Sequence, residues 1–200
     1  MRSLSQKFVR LAALTALLLS VGSAQAHTGH GTASLFEGLV HPLGADHLLA
    51  MLAVGLWSVT ALPAGKQWQG PATFMLALVA SAALGAMGLR VPHLETLVAG
   101  SVVLFGALLV MGRLQMPVSV GLGMVAVAAS LHGLAHGAEA PAAGFAAYAI
   151  GFLLTTGVLH ATGVAVGLGL RRYLARQATW LLAAAGTLLG GAGLVLAVSL

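Results

Sequence analysis

Beyond residue 42 the chain is a succession of six apolar stretches, at about 43–62, 71–89, 96–112, 117–136, 144–170 and 178–199, separated only by prolines and a handful of charges. A helix rises about 1.5 Å per residue, so each stretch supplies the ~17–25 residues that cross a ~30 Å hydrocarbon layer, the third near the lower limit. Lipid offers a backbone no hydrogen-bond partner, and continuous apolar runs of this length satisfy their own N–H and C=O groups as helices. The expectation is an all-α polytopic membrane protein, a bundle of six transmembrane helices. Composition agrees: 59% of residues are hydrophobic and 6% charged, against about 25% charged in soluble domains. A nucleic-acid module, a disordered tail and a cytosolic enzyme are excluded on this basis. The 27 glycines exceed what lipid-facing filler requires, and small-xxx-small pairs such as Gly163 with Gly167 and Gly186 with Gly190 allow close backbone packing.

The first 26 residues read differently. Arg2, Lys7 and Arg10 precede an apolar run from Leu11 to Leu19 and the small-residue ending Ala24-Gln25-Ala26, the layout of a cleaved secretory signal peptide. Residues 1–26 are therefore expected to be removed, leaving 27–200 as one membrane domain that begins at His27. The apparent pI of 10.9 owes much to this leader; six basic and four acidic residues follow it, and no basic patch remains for an acidic partner. With the new terminus exported, Lys66, Arg113, Arg171, Arg172 and Arg176 fall in inward loops and only Arg90 in an outward one. That bias fits the positive-inside rule, and it places both mature termini in the periplasm.

With this topology the polar residues gather on the outer side. Glu37, His41, Asp46 and His47 open the first span, His93 and Glu95 occupy the second outer loop, and His132, His136 and Glu139 close the fourth span. With no cysteine in the chain, a metal must rely on His, carboxylate, Met or backbone ligands. The segment LHGLAHGAEAP carries His132 and His136 four residues apart, pointing within ~40° of each other on a helix, and Glu139 returns to that face if the helix persists. Two imidazoles and a carboxylate in one column suit a borderline divalent ion such as Ni, Cu, Zn or Fe; two interfacial histidines ending a helix before Pro141 are the simpler account of the pair alone.

The second cluster is HPLGADHLLAM, residues 41–51. An ionised Asp46 near the start of a span wants a cation, a partner or water. Capping of the helix that follows accounts for Asp46 but not for His41 and His47 beside it. Pro42 and Gly44 permit a backbone break, which membrane depth tolerates chiefly where it lines protein or a wet cavity. Met51, four after His47, suits simple packing. His160, within the fifth span, suits a core histidine and a ligand or relay equally; His93 and Glu95 suit a solvated loop, and His27 with His30 a flexible end.

These motifs resemble those of the HupE/UreJ family, hydrogenase and urease accessory proteins regarded as nickel or cobalt permeases of the bacterial inner membrane. The similarity extends over nearly the whole chain: leader, six spans, HPLGADHLLAMLAVGLW opening the first and LHGLAHGAE closing the fourth. The resemblance implies secondary uptake of Ni(II) or Co(II), with His41, Asp46 and His47 from the first motif, His132, His136 and Glu139 from the second, and His160 from the fifth span serving the metal. Two features depart from the family pattern. Leu131 stands where Phe is usual, and four residues instead of five separate His41 from the Asp46-His47 pair. In a continuous helix that shortening leaves His47 ~120° around from His41, so a role for His41 requires the break at Pro42 and Gly44.

The sequence thus points to a permease, a carrier of divalent metal and not an enzyme, with no resident cofactor, the bilayer and the transported ion as its partners. No G-x-x-x-x-G-K-[ST] phosphate loop is present, so the chain does not itself resemble an ATP-driven pump. The alternative from another class is an intramembrane zinc hydrolase holding an open-site Zn(II) on the same His/carboxylate set.

Overall fold

The computed structural model describes residues 34–111, 116–139 and 144–199; the expected signal peptide, the His27 and His30 terminus and Arg113 lie outside the described residues. Every described element is helical: α1 (Leu35–Val40), a 3-10 turn (His41–Leu43), α2 (Ala45–Ala61), α3 (Gln69–Ala86), α4 (Leu94–Val110), α5 (Val118–Ala138), α6 (Phe145–Tyr173) and α7 (Ala178–Val198).

The all-α expectation holds, and each of the six apolar stretches contains a helix. By length and composition, however, α3, α5, α6 and α7 qualify as spans on their own. The first stretch qualifies only when α1 and its 3-10 turn are joined to α2 across a 73° bend. The third, α4, is a 17-residue apolar helix. Among the described residues there are therefore four spans, or five with the bent pair. The short α4 begins only after His93, which adopts a left-handed φ of 55° as its N-cap.

The sequence reading passed over α1. It is a single turn and a half, started by a reciprocal capping box in which Ser34 Oγ accepts from the Glu37 N–H at 3.1 Å and Glu37 Oε2 accepts from the Ser34 N–H at 2.8 Å. So short a helix is not stable by itself; it is held against the outer half of α6, where Gly38 lies against the Tyr148 carbonyl and Gly151 against the Leu35 carbonyl. Pro42 then enters the 3-10 turn, and Gly44 turns the chain at φ −54° and ψ 145° before α2 begins.

Helices α2 and α6 approach so closely that a Cβ on Gly55 would stand 2.5 Å from the His160 carbonyl oxygen, and one on Gly163 would stand 2.5 Å from that of Leu52. Gly106 of α4 meets Gly186 and Gly190 of α7 in the same way, at 2.6 Å from the Gly186 carbonyl and 2.5 Å from the Gly190 amide. Both small-residue pairs singled out in the sequence thus sit at helix contacts. Around them α2 buries Ala50, Met51, Ala53, Val54 and Trp57 among Phe74 of α3, Phe105 of α4 and Val125 of α5, which makes it the central post of the bundle. Lipid gives helices no hydrophobic reason to associate, so this packing is what holds them.

Inserting a side chain at such a contact costs about 1–3 kcal/mol or more through overpacking. Gly163→Leu should therefore lower the thermal midpoint of the purified protein by several degrees. Gly169→Leu, on the same helix with open space around it, should leave the midpoint near that of the wild type. Equal loss in both variants would refute the packing role of Gly163.

Candidate metal centre

The bend between α1 and α2 decides where His41 goes. Its backbone ends α1, with the His41 N–H donating to the Glu37 carbonyl, and its own carbonyl accepts from the Gly44 N–H at 3.1 Å. The turn swings the His41 ring back over the start of α2, so that its centroid lies 5.6 Å from His47 and 4.8 Å from His136. The ~120° separation that a continuous helix imposes is thereby removed by the Pro42–Gly44 break.

His41, His47 and His136 come from three separate elements, and each offers one ring nitrogen within 4.8 Å of the others. Bonds of about 2.0–2.1 Å from a metal to imidazole nitrogens bring those nitrogens to roughly 3.3 Å apart in tetrahedral geometry. The observed spacing straddles that value: His47 Nε2 and His136 Nε2 already meet and would part slightly around an ion, and the whole set stays within 4.8 Å. His47 is buried, and its Nδ1–H donates to Asp46 Oδ1 at 2.9 Å. A carboxylate only accepts, so this bond fixes the His47 tautomer and leaves the Nε2 lone pair facing the cluster, against Nε2 of His136. A carboxylate behind a ligating histidine orients the ring and raises its basicity. Asp46 is thus a supporting group at its observed position, not a fourth member of the histidine group.

His132 lies beside the trio instead of within it. One helical turn below His136 on α5, it is fully buried, its ring centroid 5.0 Å from that of His47. Its Nε2 meets Ser101 Oγ of α4 at 2.8 Å, and that hydroxyl gives its own proton to the Val98 carbonyl at 2.6 Å. Ser101 must then accept from His132 Nε2–H, which leaves the lone pair of His132 on Nδ1. Glu139 is the C-cap residue of α5 and is exposed at the rim. His160, 1% exposed, is further down α6 with its Nδ1 donating to the Thr156 carbonyl at 2.8 Å. Of the seven residues singled out in the sequence, three form the cluster, Asp46 backs it, and His132, Glu139 and His160 stand around it at different depths. His93 and Glu95 are exposed, and Met51 is core, as their sequence context suggested.

Sequence reasoning missed the aromatic wall. Tyr148 and Phe152, four apart on α6, present their rings to His41 at 5.8 Å each, and Phe152 lies 4.7 Å from His136. Their i, i+4 spacing in a chain with only six Phe and two Tyr was the available signal. Ser101 carried none, because its role arises from the packing of α4 on α5.

The fold and site define a helical, multi-pass class of membrane protein with a partly buried imidazole cluster able to hold a metal ion. The comparisons give that class a family. The HupE/UreJ protein family matches residues 15–196, and the chain is 35% identical over 191 residues to Protein HupE of Rhizobium leguminosarum bv. viciae, covering 94% of this chain and 98% of that one. No solved structure matches. The chain belongs to the HupE/UreJ family, which is associated with nickel and cobalt transport and consists of accessory and permease-type proteins, not catalytic enzymes. The intramembrane hydrolase alternative finds no support there.

If the trio holds the ion, His41→Ala, His47→Ala and His136→Ala should each weaken Co(II) binding to the purified protein at least tenfold, read by optical titration. Asp46→Asn, which removes the charge behind His47, should cost about 10–100-fold, and His93→Ala should cost nothing. Equal affinities across this series would remove the cluster from consideration.

Proposed function

We propose that this protein is a secondary transporter that imports Ni(II) or Co(II) from the periplasm across the bacterial inner membrane. The observation that carries this reading is the convergence of His41, His47 and His136, from three elements, with ligand nitrogens within 4.8 Å of one another. Neutral imidazoles suit borderline divalent ions, while Asp46 beside His47 and Glu139 at the rim offset the 2+ charge. A hydrated ion exchanges waters for imidazoles at the outer end of α2 and α5, then passes along the bundle. A membrane potential favours inward movement by ~2.3 kcal/mol per charge per 100 mV.

This reading includes a cleaved leader over residues 1–26, six crossings formed by the bent α1–α2 pair and α3 to α7, and periplasmic mature termini. The basic residues support that orientation: Arg171, Arg172 and Arg176 lie at the end of the bundle opposite the histidines, where the Arg171 guanidinium donates to the Val59 carbonyl near the end of α2 at 2.7 Å. Reporter fusions after Lys66 and Arg172 should report cytoplasm, and one after Leu200 periplasm; a cytoplasmic C-terminus would contradict six crossings.

Cells producing the protein should accumulate radiolabelled Ni or Co above cells lacking it. His47→Ala and His136→Ala should reduce the initial rate at low external metal at least tenfold at equal membrane abundance. Unchanged accumulation between producing and non-producing cells would refute the transport reading.

A further inference from the structure

Below the three-histidine cluster the bundle contains two more buried imidazoles and a buried hydroxyl without a hydrogen-bond partner that the cluster does not use. His132 Nδ1, His160 Nε2 and Thr156 Oγ1 are all inaccessible to solvent and have no hydrogen-bond partner. Each histidine has its other nitrogen fixed as a donor, His132 by Ser101 and His160 by the Thr156 carbonyl. Both free nitrogens are therefore unprotonated lone pairs. A neutral imidazole with its distal N–H anchored and its lone pair bare is the form in which histidine binds metal.

Thr156 is the telling residue. Five other helical hydroxyls satisfy themselves on the carbonyl one turn back, Ser58 on Val54, Ser81 on Ala77, Ser130 on Ala126, Thr162 on Val158 and Thr187 on Ala183, at 2.7–3.0 Å, and Thr155 beside it donates across to the Leu39 carbonyl at 2.9 Å. The bond one turn back is the default for a helical Ser or Thr away from water. Thr156, with no exposed surface, does not make it. It lies four residues before His160 and four after Phe152, on the face of α6 that lines the outer cluster, so its oxygen stands about one turn below that cluster and His160 about two. The rings form a continuous series: His47 to His132 at 5.0 Å, His132 to Phe74 at 5.8 Å, and Phe74 to His160 at 4.8 Å between centroids.

We propose that His160 Nε2 and Thr156 Oγ1 form a second station for the divalent ion, reached from the three-histidine cluster by way of His132 Nδ1. This deepens the transport reading and rests on it. All four carboxylates of the chain, Glu37, Asp46, Glu95 and Glu139, lie toward the other end of the path. The inner station offers one imidazole and one hydroxyl, against three imidazoles with Asp46 behind His47, so it binds more weakly than the cluster. A conduction path requires sites strong enough to be entered and weak enough to be left.

The test is a Co(II) titration of the full-length protein purified in detergent, set beside Ni uptake by cells. Wild-type protein should bind in a tighter and a weaker phase. Thr156→Val, which keeps the side-chain shape, and His160→Ala should each weaken one equivalent of the weaker phase at least tenfold and leave the tighter phase intact. Thr162→Val, an exposed hydroxyl on the same helix, should change neither. In cells the two inner variants should lower the maximal uptake rate at least fivefold with the half-saturating concentration unchanged. A single binding phase in the wild type, or a weaker phase that persists in both inner variants, would overturn the proposal. Two-phase binding with the expected losses but no uptake by any version would sustain the inner station and refute the transport reading instead.

Discussion

Each of three buried histidines has one ring nitrogen anchored as a donor: His47 Nδ1 on Asp46, His132 Nε2 on Ser101 and His160 Nδ1 on the Thr156 carbonyl; His47 Nε2 in turn meets His136. In an apolar bundle an imidazole cannot turn to water, so the anchoring bond sets both its tautomer and its direction. The other nitrogen is left as a lone pair facing the interior. The polar interior of the protein follows from these bonds, because reversing any one of them would turn an N–H inward in place of the lone pair that the proposed metal path requires.

Such bonds require helices that hold still at close range. The approaches at Gly55 and Gly163, and at Gly106 and Gly186, place carbonyls of neighbouring helices where a Cβ would collide. They lock α2 to α6 and α4 to α7. Because α2 carries His47, α4 carries Ser101 and α6 carries His160, the contacts that pack the bundle also register the imidazoles. Glycine content and site geometry are thus two aspects of one constraint: side chains at the interfaces must be small if the few polar ones are to meet.

The legible part of this structure was whatever repeats along a single helix. Apolar run length gave the helices, and the i, i+4 spacing of His132 and His136 placed both on one face of α5. The spacing did not reveal that the two rings divide their roles, His136 joining the cluster and His132 turning to Ser101, since that depends on a neighbouring helix. Likewise the six-residue step from His41 to His47 identified the need for a break at Pro42 and Gly44, and the break is present. The short α1 before it carries a local signal, the Ser34-x-x-Glu37 capping box, but so short a helix depends on docking against α6, which spacing along one helix does not show. The apolar runs also overstated the uniformity of the spans: α4 is shorter than its neighbours, and the first is bent by 73°.

The central claim is that the Pro42–Gly44 break assembles one metal site from His41, His47 and His136. It is tested most directly by metal-edge X-ray absorption of the purified protein loaded with one equivalent of Co(II), compared with His41→Ala treated alike. The account predicts about three imidazole ligands at roughly 2.0–2.1 Å in the wild type, and one fewer in the variant. An ion bound by oxygen donors with at most one imidazole, or an identical shell in both proteins, would contradict it.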